Sequence, residues 1–354
     1  MKNTAKPKIL KYFAAANTYS GFKSYFDEVF RPEDFERIYV IKGGPGTGKS
    51  SFMKKISELF YGLDCNIEHI HCSSDPSSLD GVIICSENKK IALLDGTAPH
   101  ERDAKIPGAF DEIINLAEGL EKRLLTAQKD DILSLQKEKS KAYKTAYFYL
   151  NQAGKSQDII EETYKQNFDI FGAKYKAERI FGKISSSEKG GISTRLVSSF
   201  GRYGLQGLST LHDYSGDKIS VGGNDFSATM FLDCCLALLK ERQIPLTQLP
   251  FVLDPSRTDA LFLPKFNLAI IRGEGGEINA ADFVKISPLD EERIKTARWI
   301  HSTSLEEARR WFTIASDLHF RLEKIYGDAM NFDNNDKIFE EKKNEIADIL
   351  EKEI

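Results

Sequence analysis

The chain has 354 residues, 41% apolar and 29% charged, with 49 Lys and Arg against 53 Asp and Glu for a net charge of −4. That length can bury a sizeable core without disulfides or metals and corresponds to two domains or one large one. The balance excludes a globally basic polyanion binder, and no run approaches the ~18 apolar residues that span a bilayer.

Met1 to Tyr12 carries lysines but no apolar stretch, which argues against a secretory signal. The five cysteines, Cys65, Cys72, Cys85, Cys234 and Cys235, are odd in number and contain no C-x-x-C pair. Reduced thiols in a cytoplasmic protein are expected.

Arg37-Ile38-Tyr39-Val40-Ile41 reads as a buried parallel strand. Gly43-Gly44-Pro45-Gly46-Thr47-Gly48-Lys49-Ser50 follows and satisfies G-x-x-x-x-G-K-[ST]. Phe52, Met53, Ile56, Leu59 and Phe60 then recur at helical spacing. Glycines let backbone N–H groups point inward at phosphate oxygens, and the helix N-terminus adds partial positive charge. Lys49 is expected on the β- and γ-phosphates and the Ser50 hydroxyl on Mg²⁺, with Pro45 and Thr47 shaping the loop and Ser51 in the first helical turn.

Asn66 to Cys72 reads as a strand, and Ser73 to Gly81 as a turn-rich loop before Val82-Ile83-Ile84. Strand alternation puts His69 and His71 on one face beside Cys72 without a full ligand set, so a metal is not expected there. Ile91-Ala92-Leu93-Leu94-Asp95 ends a strand on a carboxylate, the expected second Mg²⁺ ligand unless it only caps the turn. No glutamate follows Asp95, so the base is open among Asp75, Asp80 and His100.

From Phe110 to about Lys183 the chain is charged and glycine-poor. Ile132, Leu135, Ala142, Ala146 and Leu150 keep heptad-like spacing, and Asn151 to Ser156 reads as a turn, which predicts an antiparallel helical hairpin. The alternating charges of Lys137 to Lys141 read as a solvated helix face. Ile184 to Thr194 reads as a linker. The C-terminal stretch predicts a helix over Trp311 to Tyr326, with Ser304 and Glu307 as a capping box, and a charged helix from Lys337 to Ile354 after a break near Asn331 to Asn335. Either hairpin is a candidate arm for a protein partner or for self-association.

The two halves repeat. At an offset of 179, Gly43-Gly44 lies over Gly222-Gly223, Asp75-Pro76-Ser77 over Asp254-Pro255-Ser256, and Asp80 over Asp259; at 177, Ile91 to Leu94 lies over Leu268 to Ile271. Phe13-Ala14-Ala15 matches Val197-Ser198-Ser199 more weakly. This alignment puts Ala228 at the place of Lys49 and Arg272 at that of Asp95, so the second copy is expected to be degenerate, with Arg272 or Arg202 as candidate arginine fingers.

GGPGTGKS (43–50), HCSSDPSSLDGVII (71–84) and IALLDGTAPH (91–100), followed by Pro107-Gly108-Ala109, resemble a family of tandem P-loop ATPase-like proteins of Firmicutes bacteria. The resemblance implies a P-loop NTPase fold and ATP binding, and it implies no particular substrate. Members often carry two intact halves, from which this second half departs.

The expected architecture is two tandem three-layer α/β P-loop NTPase-like domains, each with a helical hairpin: 1–183, with the hairpin at about 110–183, a linker at 184–194, and a degenerate domain at 195–354. The expected function is Mg²⁺-dependent ATP hydrolysis coupled to conformational change, at one site formed by Gly43 to Ser51 with Lys49, Asp80, Asp95 and His100. A small-molecule kinase or an ATP-dependent binding module with little turnover is the alternative. No membrane or specific nucleic-acid partner is expected.

Overall fold

The computed structural model describes residues 8–353 apart from 88, 186–189, 212 and 274. The expected linker and the extreme termini therefore lie partly outside the described residues. Among those described, no helix is long and apolar enough to cross a membrane.

The first half runs β1 (Ile9–Phe13), the hairpin β2 (Ala15–Thr18) and β3 (Gly21–Ser24), the one-turn helix α1 (Phe26–Val29), β4 (Arg37–Lys42), α2 (Lys49–Gly62), β5 (Asn66–His71), β6 (Leu79–Ser86), β7 (Lys89–Asp95) and β8 (Asp111–Asn115). Helices α3 (Lys122–Ala127), α4 (Lys129–Gln166) and α5 (Ile170–Phe181) follow. The second half repeats the series as β9 (Ile192–Thr194), the hairpin β10 (Ser198–Gly201) and β11 (Gly204–Gly207), β12 (Asp217–Gly222), α6 (Asp225–Glu241), β13 (Leu246–Phe251), β14 (Asp254–Leu263), β15 (Leu268–Arg272) and β16 (Ile278–Asn279). Helices α7 (Pro288–Asp328) and α8 (Asp333–Leu350) close the chain.

Two six-stranded mixed sheets result, ordered β1-β5-β6-β7-β4-β8 and β9-β13-β14-β15-β12-β16. The duplication is thus visible in strand order. In each sheet the third strand, β6 or β14, runs antiparallel to both neighbours. The hairpin ends Thr18-Gly21 and Gly201-Gly204 correspond, which makes Phe13 the counterpart of Leu196. Those two residues form an antiparallel bridge with each other, so a pseudo-twofold axis relates the halves.

Strand alternation divides the apolar residues into layers. In the first sheet Tyr39, Ile41, Val82, Ile84, Ile91 and Leu93 face α2 and α8. Ile38, Val40, Ile83, Ala92 and Leu94 face the other way, into one cluster shared with Leu249, Ala260, Phe262 and Ala269 of the second sheet. Helices therefore cover each sheet on its outer face, while the inner faces share a core with the two hairpins and the middle of α4 and α7. Asn17 Nδ2 donates to Phe200 O at 2.7 Å and Tyr19 N to Leu253 O at 2.9 Å across this join.

The helical arms depart from the sequence expectation in three ways. First, α4 passes through Asn151 to Ser156 without a turn and packs antiparallel along α7, Leu135 near Leu322 and Ile160 near Ala297. Gly154 sits there because a methyl at its position would meet the Tyr19 Cβ at 2.7 Å. Second, Ser304 lies inside α7; the cap is Ser287, which accepts from Asp290 N at 3.2 Å ahead of Pro288. Third, the last helices are exchanged between halves. Ala173, Ala177 and Phe181 of α5 pack in the second core with Phe231 and Leu239, and Ile346, Ala347 and Leu350 of α8 pack in the first core with Ile56 and Phe60. Ile192 to Thr194, expected in the linker, pairs with β13 as an edge strand.

The exchange predicts where damage appears. Phe181→Ala is expected to cost about 3–5 kcal/mol. Native-state hydrogen exchange should show the loss in β12 and β15; a loss confined to β4 and β7 would contradict the exchanged packing.

Candidate functional site

β4 delivers Gly43 to Gly48 at the carboxyl edge of the first sheet, and α2 starts at Lys49. Gly46 and Gly48 hold φ of 72° and 86°, which a residue with a side chain adopts only at a cost. Thr47 is fully buried and its Oγ1 donates to Gly44 O at 2.9 Å. The N–H groups of Gly44, Gly46, Thr47 and Gly48 donate to no backbone acceptor among the described residues. Lys49 Nζ folds back on the loop, donating to Gly43 O at 3.0 Å and Gly44 O at 2.9 Å, and lies 3.6 Å from Asp95 Oδ2. Ser50 Oγ accepts from Leu79 N at 2.9 Å, whereas Ser51 is exposed.

The predicted residues Lys49, Asp80, Asp95 and His100 converge. Asp80 was expected in a loop but opens β6; because β6 runs antiparallel, its start lies on the same sheet edge as the end of β7. One Asp95 oxygen accepts from Thr97 N and Oγ1 at 2.9 and 2.6 Å, so the residue caps its turn while its other oxygen faces Lys49. His100 is buried, its ring centroid 4.3 Å from that of Phe26 and its Nε2 3.8 Å from Asp80 Oδ2. Burial, and secondarily Asp95, raises Asp80 to about 8. Burial holds His100 below the ordinary imidazole value. Asp75 closes its own turn by accepting from Ser77 and Ser78. His69 and His71 are engaged elsewhere, with Ser57 Oγ at 2.6 Å and Pro76 O at 2.7 Å.

The far end of the chain supplies residues that spacing did not reveal. The elbow between α7 and α8 lies on the glycine loop. A methyl on Gly46 would come 2.3 Å from the Glu323 carbonyl oxygen, and one on Gly44 3.0 Å from the Tyr326 ring. Asn335 Nδ2 donates to Thr47 O at 2.9 Å in a buried bond. His319 sits 3.5 Å from Glu323 and 3.4 Å from Lys139 Nζ. Burial, then Lys139, lowers His319 to about 4, and burial, then Asp75, raises Glu323.

The second copy differs at the corresponding loop. A methyl on Gly43 would meet Thr47 Oγ1 at 2.5 Å, and one on Gly223 would meet Ser227 Oγ at 2.6 Å. Gly43 thus corresponds to Gly223, one residue away from the sequence alignment. Thr229, not Ala228, stands in place of Lys49. Helix α6 begins at Asp225 with Asn224 as its cap, so a helical turn replaces the open glycine loop of the first copy. Phe226 fills the Gly46 position, stacked on Tyr164 with centroids 5.5 Å apart and under the Arg257 guanidinium at 3.9 Å. Sheet register places Arg272 at Asp95 and Asp259 at Asp80, and this Arg–Asp pair closes at 3.1 Å. Neither candidate finger points to the first site: Arg272 holds Asp259, and Arg202 holds Ser316 Oγ at 3.0 Å and Asp317 at 3.3 Å.

No family model, curated protein or solved structure matches the chain.

Asp80 gives a pH prediction. Its folded pKa lies above the unfolded value of 3.8, so the folded state binds the proton more tightly and stability falls as pH rises from about 4 to about 8. Lys49 and a hydrogen bond from Cys72 oppose this shift, and Asp95 and Asp75 reinforce it. In chelator-treated protein, Asp80→Asn should flatten the fall in urea stability between about pH 5 and about pH 8; equal slopes in both proteins would refute it.

Proposed function

We propose that the chain is an ATP-binding P-loop NTPase with one competent site, in the first half, that hydrolyses Mg·ATP and couples turnover to movement of the α7–α8 elbow. One observation carries the reading: backbone donors of the glycine loop without a backbone acceptor among the described residues surround a helix N-terminus, and the only lysine of the motif is folded onto the loop's carbonyls. These groups fit a polyphosphate, and Ser50 with Asp95 fits its Mg²⁺. The loop N–H groups from Gly44 to Gly48 take phosphate oxygens. Lys49 exchanges its carbonyl partners for the terminal phosphates. When bound, Mg²⁺ neutralises charge on the phosphate oxygens. While the carboxyl edge is free of metal, Asp80 and His100 are the groups that hold or move a proton there.

The elbow restricts room over the loop, so nucleotide entry requires Tyr326 and Asn335 to lift. That couples occupancy to α7, and through α7 to its long partner α4.

A second reading, a kinase for a small anionic acceptor, draws on a cavity of about 510 Å³ lined by Phe26, His100, Arg102 and Lys105. Arg102 is buried, donates from Nη1 to Phe30 O at 2.8 Å, and has Nε and Nη2 without hydrogen-bond partners among the described residues. A nucleotide-dependent binding module is the outcome if turnover is absent.

Labelled ATP separates the readings: released phosphate supports the ATPase, label in an added metabolite extract supports the kinase, and tight binding alone supports the module. Lys49→Ala should weaken ATP binding about 100-fold, near 3 kcal/mol; unchanged affinity would sink all three. Asn335→Ala should tighten ATP binding about threefold to tenfold by loosening the elbow. Calorimetry should give one nucleotide per chain, and two would contradict the degenerate second copy.

A further inference from the structure

Asp80, Asp95 and His100 each offer a ligand atom, and these atoms lie within 4.8 Å of one another. They come from the start of β6, the end of β7 and the turn that follows it. Two independent observations mark this group as more than an acidic cluster. The His100 ring is nine-tenths buried, and neither of its nitrogens has a hydrogen-bond partner among the described residues, although Nε2 faces Asp80 Oδ2 at 3.8 Å. In the second copy the same two sheet positions hold Asp259 and Arg272, closed as an ion pair at 3.1 Å. Where the second copy balances its half-buried carboxylate with a guanidinium, the first sets two carboxylates and an imidazole together. Lys49 meets that need only in part: it pairs with Asp95 at 3.6 Å while donating its hydrogen bonds to Gly43 O and Gly44 O, so one cation stands against two carboxylates.

We propose that Asp80, Asp95 and His100 form a protein-built site for a first-row divalent transition ion, Mn²⁺ or a later member of the series, that binds without nucleotide and in preference to Mg²⁺. The donor set decides the class. Mg²⁺ takes oxygen ligands and keeps its waters, whereas an imidazole nitrogen beside two carboxylates suits Mn²⁺ through Zn²⁺. The 3.8 Å separation lets His100 and Asp80 share an ion at about 2.0–2.2 Å from each with a small side-chain adjustment. Phe26 packs against the ring, its centroid 4.3 Å away. Metal binding stands on these residues alone; the ion's service to phosphate chemistry rests on the reading of the glycine loop given above.

The test uses the full chain, stripped with a chelator and titrated with Mn²⁺ in the absence of nucleotide. Electron paramagnetic resonance should count one Mn²⁺ per chain, displaced by Mg²⁺ only at about tenfold or greater excess. Pulsed spectra of the wild type should show coupling to an imidazole nitrogen, a readout that needs no variant. His100→Gln should remove that coupling and weaken Mn²⁺ about tenfold or more. Asp95→Arg, which rebuilds the ion pair of the second copy, should abolish Mn²⁺ binding while keeping the fold. Lys49→Ala should lose ATP but retain Mn²⁺, so a failed nucleotide reading leaves the metal site standing. Absence of nucleotide-free Mn²⁺ binding, or Mn²⁺ bound without nitrogen coupling, would overturn the proposal.

Discussion

Each sheet is covered on its outer face by helices, while its inner face meets the other sheet, the hairpins and the middle of α4 and α7, and that asymmetry governs the architecture. Ile38, Val40, Ala92 and Leu94 cannot be left to water, and no helix of the first half covers them all. They meet the corresponding face of the second sheet instead. A face shared in this way ties the fate of one copy to the other, because exposing it removes the apolar burial that holds both. The outer faces tell the same story from the other side, since each is completed by a helix belonging to the opposite half. The second copy can therefore differ at its loop while its packing residues stay under constraint.

The position of the elbow follows from this geometry. For α8 to reach the first sheet, the chain must turn between Asp328 and Asp333, directly over the glycine loop. The symmetric turn between α4 and α5 lies over the second copy's Phe226, where Tyr164 stacks. On one side the loop keeps its glycines and meets Tyr326 through small groups. On the other the space is filled with aromatic rings and Arg257. One crossover, applied twice, covers a glycine loop in one copy and packs an aromatic plug in the other.

Much of the site was legible locally. The run from Arg37 to Phe60 announces strand, loop and helix, because the glycine pattern and the change from period two to period 3.6 are local signals. Asp95 was legible as a strand-end acid, and the duplicated Asp75-Pro76-Ser77 forms the same turn twice. Other features depended on distant partners. Asn151 to Ser156 reads as a turn by composition, yet Tyr19 requires the glycine there and α7 supplies the packing that keeps the helix straight. Glu323, Tyr326 and Asn335 carry no local mark, because only the exchange of α8 brings them to the loop. The one-residue slip at Lys49 arose because paired glycines align in two registers, and only the Gly223–Ser227 contact distinguishes them.

The exchanged helix also imposes an order on assembly. A chain made from its N-terminus has Tyr39, Ile56 and Phe60 in place long before Ile346 and Leu350 exist to cover them. The outer layer of the first sheet closes only once α8 has been made and has docked, and docking of the same helix caps the glycine loop. Until then the most chemically distinctive part of the molecule is also its least finished, and docking of α8 is the event that shuts it.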